Sequence, residues 1–295
     1  MSASKLAGKV ALVTAGTKGI GYAVARRLGL DGAKVMISSR KDMNVISAVH
    51  ALRKENIDVS GVACHAGNRS ELKSLISQTV DKYGGIDILF SNAGINPHYG
   101  DILGCPEDAW DKTFHMNVKA QYMICQEVAP IMEARGGGSI IMNSTAGAFR
   151  MVPVIQLYCV SKLALCGLVK GLIFELSPKN IRINAIAPSV IKTDFSESFL
   201  VPFSYKISSK QMWMPGDHQP AFEENTSLMQ SKFKEYLKTN NNDDIRKWTL
   251  STYTTMGRHG EPDECAKVVS FLASDDASYI SGESIIVAGG FDARI

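Results

Sequence analysis

Two residues four positions apart, Tyr158 and Lys162, have side chains that could move a proton between them and a ligand. They open an apolar stretch that runs from Leu163 to Leu176 and ends before Pro178, which predicts a helix. Residues four apart share one face of a helix, so the phenol and the ammonium would enter the same cleft. Because a nearby cation favours the phenolate, we expect Lys162 to lower the pKa of Tyr158 from its usual value of about 10. A solvated pair on a helix surface is the alternative interpretation.

The elements that must position this pair alternate between strands and helices along the chain. Short apolar runs predict strands at 9–13, 33–38, 59–64, 86–90, 139–142, 181–187 and 283–287. Helical patterns lie between them at 22–30, 42–55, 71–83 and 106–133, in the stretch that carries Tyr158, and at 262–274. Strands that are apolar throughout and alternate with helices indicate a parallel sheet covered on both faces. The sequence therefore predicts a single α/β domain over residues 1–295, doubly wound and Rossmann-type, with seven parallel strands.

One long segment, residues 196–250, interrupts this alternation. It has no strand signal and is rich in Ser, Asn, Lys and Gln, although part of it has the spacing of an amphipathic helix. The segment follows the carboxyl end of a strand, which is where ligands bind in sheets of this kind. We expect it to be a lid over the substrate, and a surface insertion is the alternative.

The bulk composition argues against several classes of function. The net charge is +3, and the charge is not concentrated as a nucleic-acid-binding surface requires. The six cysteines form no C-x-x-C pair and no cluster with histidine, so we predict no metal site. No apolar run reaches the roughly 20 residues of a membrane span. The C-terminal tripeptide Ala293-Arg294-Ile295 is similar to a peroxisomal signal, so the expected location is cytoplasmic or peroxisomal.

The turn after the first strand, Thr14-Ala15-Gly16-Thr17-Lys18-Gly19-Ile20-Gly21, is rich in glycine. Glycines at this point let backbone N–H groups approach a pyrophosphate at a helix N-terminus. The spacing is close to T-G-x-x-x-G-I-G, with Ala15 at the first glycine position. The turn therefore predicts a dinucleotide site, and a plain strand-to-helix turn is the alternative.

The end of the second strand indicates which dinucleotide is preferred. An acidic residue there would bind the adenosine ribose of NAD and repel a 2′-phosphate, but the strand ends in Ser38-Ser39-Arg40-Lys41. Arg40 could pair with a phosphate and stack on adenine, while Lys18 adds a second positive charge and Ser39 a hydroxyl. The sequence therefore predicts NADP, used as NADPH, over NAD.

Further polar residues follow the fourth and fifth strands. Asn92-Ala93-Gly94 could line the cofactor cleft, and Ser144 or Thr145 could hydrogen-bond the reacting oxygen. Asn117 lies inside a predicted helix, where a buried amide needs partners. It has either a structural role or a place in a water-linked proton relay.

Together these stretches resemble the short-chain dehydrogenase/reductase family, and within it the branch of peroxisomal NADP-dependent carbonyl reductases and retinol dehydrogenases. The branch is suggested by the stretches 38–41, 84–89, 91–97, 135–139, 187–193 and 277–280 and by the C-terminal tripeptide. The resemblance implies that Tyr158 is the acid–base, that Lys162 binds the nicotinamide ribose and lowers the pKa of Tyr158, and that Asn117 continues a proton relay.

The resemblance also implies further contacts and departures. The nicotinamide would meet Pro188, the backbone of Ile191 and the side chain of Thr193, and the enzyme would be a homotetramer or dimer. Thr145 stands where the family usually has the catalytic serine, thirteen positions before the tyrosine, with Ser144 beside it. Ser189 replaces a glycine, and the predicted lid is about thirty residues longer than a typical connection in this branch.

The resulting hypothesis is an NADPH-dependent carbonyl reductase that acts on a small apolar ketone or aldehyde, with retinal and α-dicarbonyls as candidates. Three aromatic residues near the cleft could contact such a substrate, namely Phe149, Phe195 and Phe199. A 3-oxoacyl reductase or a steroid dehydrogenase of the same fold is the first alternative. A protein that binds NADP without turnover is the second.

Overall fold

Seven strands form one parallel sheet in the computed structural model, which describes residues 4–152, 155–196 and 254–291. The strands are β1 (Val10–Val13), β2 (Lys34–Ser39), β3 (Val59–Ala63), β4 (Ile88–Ser91), β5 (Gly138–Asn143), β6 (Ile181–Pro188) and β7 (Ser284–Val287). Their order is β3-β2-β1-β4-β5-β6-β7, and every neighbouring pair is parallel. The predicted Rossmann-type sheet is confirmed.

Helices cover both faces of this sheet. They are α1 (Gly19–Leu30), α2 (Asp42–Arg53), α3 (Arg69–Tyr83), α4 (Glu107–Phe114), α5 (Ala120–Ala134), α6 (Gln156–Leu176) and α7 (Pro262–Ala273). Alternate residues of β1 separate the two layers: Ala11 and Val13 pack in the cluster with α1 and α7, whereas Leu12 packs with α3, α5 and α6. A strand that is buried on both faces is largely apolar, which is why the central strands β1 and β4 could be recognised as short apolar runs.

The helix predicted over 106–133 is wrong in one respect. The chain forms α4, then a π-helical turn at His115–Lys119, and then α5. The turn carries Asn117, whose amide bonds the backbone of a neighbouring loop, and π-turns of this kind occur where a helix departs from regular geometry at a functional site.

Helix α6 with the turn that follows it, residues 156–179, is long and apolar enough by composition to cross a bilayer, and no other helix among the described residues is. It packs against β6, and its residue Lys162 is only 2% exposed. We therefore interpret α6 as a layer of the domain. Apart from Ser196, the predicted lid at 196–250 lies outside the described residues, as do Phe199 and the C-terminal tripeptide.

Candidate active site

The glycine turn and the loop after β4 are joined at the point where the strand order reverses. The hydroxyl oxygen of Thr14 accepts hydrogen bonds from the backbone N–H groups of Asn92 (2.9 Å) and Ala93 (3.3 Å). The Asn92 amide in turn donates to the Ala15 carbonyl at 3.1 Å. In open parallel sheets the crevice at this switch point is where a dinucleotide binds.

The glycine turn has the geometry of an anion cradle. Ala15 and Gly19 have φ angles of +50° and +54°, which tighten the turn before α1. The N-cap residue Lys18 makes no side-chain capping bond, and the first turn of α1 contains no acidic residue. Among the described residues, no side chain of the N-cap or first turn accepts from the N–H groups at the start of α1, and together with the helix dipole these groups fit the pyrophosphate of a dinucleotide.

Replacing Gly21 by alanine tests how closely the backbone is packed at this cradle. A Cβ there would lie 2.3 Å from the Ala15 carbonyl oxygen and 2.6 Å from the Asn92 amide nitrogen. We expect Gly21→Ala to lower the free energy of unfolding by about 1–3 kcal/mol and to weaken dinucleotide binding. Gly104→Ala, where nothing lies within 4 Å of the added Cβ, is the control. Chemical denaturation of both variants gives the answer, and equal stabilities would contradict this packing.

A chain of polar side chains crosses the carboxyl edge from the glycine turn to α6. The Asn143 amide donates to Asn92 Oδ1 at 2.8 Å, and the Lys162 ammonium donates to the Asn143 carbonyl at 2.6 Å. The amide oxygen of Asn143 is buried and has no hydrogen-bond partner among the described residues. Sequence reasoning missed Asn143, although a polar residue that ends an apolar strand was a usable signal.

The Tyr158 and Lys162 side chains lie together, as their spacing predicts. The Lys162 ammonium is 5.7 Å from the centre of the Tyr158 ring, within the range of a cation–π contact. Burial lowers the pKa of Lys162 to about 8. At neutral pH this lysine therefore still carries most of its charge, but it loses that charge at far lower pH than a solvated lysine does.

The pKa of Tyr158 is shifted in the direction opposite to the prediction. Burial raises it well above the ordinary value, with smaller contributions from Cys159 and Tyr99. The physical reason is that the Lys162 ammonium donates to the Asn143 carbonyl and lies over the phenol ring, while the loss of water around the hydroxyl disfavours the phenolate. Tyr158 is therefore a protonated donor at neutral pH.

Asn117 holds the loop after β4 against α6. Its amide oxygen accepts from the Ile95 N–H at 2.8 Å, and its nitrogen donates to the Ile95 carbonyl at 2.9 Å and to Ser161 Oγ at 3.0 Å. A Cβ placed on Gly94 would lie 3.2 Å from the Lys162 nitrogen and 3.4 Å from Asn117 Oδ1. The amide and the ammonium thus lie on the same side of Gly94, and its missing side chain lets both approach the same stretch of backbone.

A second buried amide, Gln121, supports the same loop and was missed by sequence reasoning. Its nitrogen donates to the carbonyl oxygens of Ala93 (2.8 Å) and Met116 (3.0 Å), and its oxygen accepts from the Ser91 hydroxyl. These bonds fix the loop that carries Asn92-Ala93-Gly94. A polar residue one helical turn after Asn117 on the same predicted helix was the available signal.

The adjacent hydroxyls of Ser144 and Thr145 have different surroundings. Ser144 is buried, donates to the Lys162 carbonyl at 3.0 Å and contacts the Cys166 sulfur at 3.2 Å, so its hydroxyl is directed into the core. Thr145 is only half-buried, and its hydroxyl donates to the Pro188 carbonyl at 3.3 Å. Of the two, Thr145 is the residue whose hydroxyl reaches across the carboxyl edge between β5 and β6.

The basic residues predicted to select NADP lie at the same edge. Arg40 is exposed and forms no ion pair within the part of the chain that the structure describes. Lys18 is also exposed, but its ammonium is 2.7 Å from the carboxylate of Asp194. The hydrogen bond and charge of Asp194 raise the pKa of Lys18. Sequence reasoning did not identify Asp194, which is 176 positions away.

Phe195, one of the residues predicted to contact the substrate, follows β6 and lies close to Tyr158. The ring of Phe195 lies 5.8 Å from that of Tyr158 at an angle of 45°. Phe149 is half-buried in the turn that follows β5. The other predicted cofactor residues also occupy this carboxyl edge; they are Gly16, Thr17, Ile20, Ser39, Ala93, Pro188, Ile191 and Thr193.

Comparison with known proteins covers nearly the whole chain. A family model described as short chain dehydrogenase matches residues 9–200, and one described as Enoyl-(Acyl carrier protein) reductase matches residues 233–292. Dehydrogenase/reductase SDR family member 4 of Homo sapiens is 43% identical over 290 residues, covering 98% of this chain and 90% of the human protein. The human mitochondrial family member 2 is 40% identical over 284 residues, covering 96% and 86%.

One solved structure extends this similarity to three dimensions. It is a 7α-hydroxysteroid dehydrogenase complexed with NADH and 7-oxo glycochenodeoxycholic acid. The two chains are 27% identical, with a TM-score of 0.78 and coverage of 98% of this chain and 96% of the other.

Proposed function

Because the chain belongs to the short-chain dehydrogenase family, and within it to the branch of dehydrogenase/reductase SDR family member 4, we propose that this oxidoreductase is an NADPH-dependent carbonyl reductase. The observation that carries the proposal is a partly buried Tyr158, protonated at neutral pH, beside the buried cation Lys162. A proton donor at this place suits reduction of a carbonyl to an alcohol.

The residues of the chain have separate tasks in this reaction. NADPH, when bound, supplies the hydride to the carbonyl carbon. Tyr158 donates its phenolic proton to the carbonyl oxygen, so the C=O bond becomes CH–OH. The Thr145 hydroxyl turns from the Pro188 carbonyl to donate its one hydrogen bond to the same oxygen, and it stabilises the charge that develops there. The glycine turn holds the pyrophosphate, and Arg40 and Lys18 select the 2′-phosphate.

Tyr158 must then regain a proton. The Lys162 ammonium lies 5.7 Å from the centre of the Tyr158 ring and donates to the Asn143 carbonyl at 2.6 Å. Asn117 Oδ1 and the Lys162 nitrogen lie 3.4 Å and 3.2 Å from the point where a Gly94 Cβ would stand. We assign the return of the proton to a water-linked path from Lys162 past Asn117, with the lysine charge holding the phenolate until the proton arrives.

The reaction is tested by following NADPH oxidation with aromatic ketones, α-dicarbonyls and retinal, and repeating each assay with NADH. We expect turnover of apolar carbonyl compounds and a preference for NADPH. Equal use of the two cofactors would contradict the role given to Arg40 and Lys18. Absence of turnover on the whole panel, with NADPH bound, would favour a protein that binds the cofactor without catalysis.

Thr145→Val and Ser144→Ala separate the two adjacent hydroxyls. Valine keeps the shape of threonine but removes the hydrogen bond to the reacting oxygen, so we expect kcat to fall by about 10²-fold. Ser144→Ala should mainly lower the free energy of unfolding, by about 1 kcal/mol, because its hydroxyl bonds the backbone of α6. The measurements are steady-state kinetics and chemical denaturation, and the reverse pattern would assign the substrate oxygen to Ser144.

A steroid dehydrogenase is the second candidate, because the similar solved structure holds an oxo bile acid. A 3-oxoacyl reductase is the remaining alternative of the same fold. Adding an oxosteroid and a 3-oxoacyl thioester to the substrate panel distinguishes them from the carbonyl reductase, since the highest kcat/KM identifies the preferred class.

Assembly and location complete the proposal. The exposed side of α6 carries Leu163 and Phe174, and a Cβ added to its glycines Gly167 and Gly171 would meet no described residue within 4 Å. Glycine inside a helix costs about 1 kcal/mol, and close contact with another helix would offset this cost. We assign this side of α6 to a contact between copies in a homo-oligomer, a dimer or tetramer.

The C-terminal tripeptide is assigned to peroxisomal targeting, with a cytoplasmic location if it is not recognised.

A further inference from the structure

The turn of residues 193–196 lies directly over the start of α1. A Cβ built on Gly19 would be 3.0 Å from the side-chain methyl of Thr193, so the two segments are in contact. One residue further along, the carboxylate of Asp194 is 2.7 Å from the Lys18 ammonium. The ion pair therefore spans the mouth of the glycine turn, between the segment that follows β1 and the one that follows β6.

Asp194 is held in this position by the hydrogen bonds on either side of it. The Thr193 N–H donates to Ser196 Oγ at 3.1 Å, and the Ser196 N–H donates back to Thr193 Oγ1 at 3.2 Å. The Ser196 hydroxyl also donates to the Ile191 carbonyl at 2.6 Å. These hydrogen bonds hold the backbone around Asp194, so the turn itself directs the Asp194 carboxylate towards Lys18.

Lys18 is the cation that pairs with Asp194 among the described residues. The neighbouring Lys192 is paired with Glu261, and no other cation contacts Asp194 in residues 4–152, 155–196 and 254–291. The pKa of Asp194 is lowered by its hydrogen bond to Lys18 and by the lysine charge, so the carboxylate is ionised at neutral pH. A phosphate monoester that approached Lys18 would meet this negative charge.

We propose that Asp194 is a specificity-determining residue, which competes with the 2′-phosphate of the cofactor for Lys18 and weakens the binding of NADPH relative to NADH. This inference rests on the proposed function, because it takes NADPH as the cofactor and Lys18 as one of its phosphate contacts. For this competition, the Lys18 ammonium must exchange the Asp194 carboxylate for the 2′-phosphate. Two terms then weaken NADPH binding: the ion pair between Lys18 and Asp194 is broken, and the Asp194 carboxylate that remains repels the 2′-phosphate.

The test measures binding and not turnover. NADPH and NADH are titrated against wild type and Asp194→Asn by the fluorescence of the bound reduced nicotinamide at 0.01 M ionic strength. We expect the Kd for NADPH to fall about three- to tenfold in the variant, and the Kd for NADH to change less than twofold. At 1 M salt, where the Debye length is about 3 Å, the gain should disappear.

Two further variants make the result specific. Asp108→Asn is the matched control, because Asp108 is an equally exposed aspartate paired with Lys112 at 2.8 Å on α4, away from the glycine turn. It should leave both affinities unchanged. In a Lys18→Gln background, Asp194→Asn should give a smaller gain, because only the repulsion by the carboxylate is left to remove.

Several outcomes would overturn the inference. An unchanged or weaker affinity for NADPH in Asp194→Asn would show that the carboxylate does not compete, and an equal gain for NADH would show that it does not discriminate. A gain of undiminished size in the Lys18→Gln background would also contradict it. If wild type binds NADPH and turns over carbonyl compounds while these results are negative, only the inference fails. If wild type binds no NADPH, the proposed function fails with it.

Discussion

Replacing Tyr158 by phenylalanine is expected to lower kcat by about 10²- to 10⁴-fold while NADPH still binds. The variant keeps the ring that lies under the Lys162 ammonium and beside Phe195, but it removes the only proton that the side chain can donate. Since the fold and the cofactor cradle are untouched, the loss should appear in kcat and leave the Kd for NADPH within about twofold of wild type.

Tyr83→Phe is the matched control for this experiment. Tyr83 is also partly buried and also uses its hydroxyl, which contacts Asp58 at 3.2 Å, but it lies at the end of α3, outside the candidate site. Its loss should leave kcat unchanged. Equal turnover by Tyr158→Phe and wild type would refute the assignment of the proton donor.

Lys162→Met should have the second-largest effect, with kcat/KM reduced by about 10²- to 10³-fold. Methionine fills a similar volume but removes both the hydrogen bond to the Asn143 carbonyl and the positive charge above the Tyr158 ring. Lys73→Met, at an exposed position on α3, is the control and should leave kcat/KM unchanged. Thermal unfolding of both variants separates lost chemistry from lost structure.

The pH dependence of wild type gives an independent check on Lys162. Burial lowers its pKa to about 8, so the cation is present below that pH and is lost as the pH rises through it. We therefore expect kcat/KM for carbonyl reduction to decline above about pH 8, well before a solvated lysine would titrate. Lys162→Met should lack this decline, because it has no proton to lose there. A wild-type profile that stays flat to pH 10 would contradict the role of the charge.

Much of the fold could be predicted from residue types alone. The central strands β1 and β4 are buried along their whole length and appeared as short apolar runs, and the glycine turn marked the start of α1 to within a few residues. The proximity of Tyr158 and Lys162 followed from helix geometry, since their spacing places them on one face of α6. These features depend on local sequence, where side-chain type and backbone geometry are directly linked.

The choice between Ser144 and Thr145 required the tertiary structure. Both hydroxyls follow β5, and consecutive residues of an extended chain point to opposite sides. Only the position of α6 decides that Ser144 is directed into the core against the Lys162 carbonyl and that Thr145 reaches β6. The residue pattern is the same whichever side the helix occupies.

What the sequence by itself determined about this protein is the doubly wound sheet, the dinucleotide turn and the tyrosine–lysine pair. The tertiary structure alone decided the π-turn at Asn117, the support from Asn143 and Gln121, and the pairing of Lys18 with Asp194. It also decided the direction of the Tyr158 pKa, because that depends on how much water burial removes and on which oxygen the Lys162 ammonium bonds. Contacts between distant segments and the desolvation of single groups are properties of the assembled fold, and no local pattern of residues specifies them.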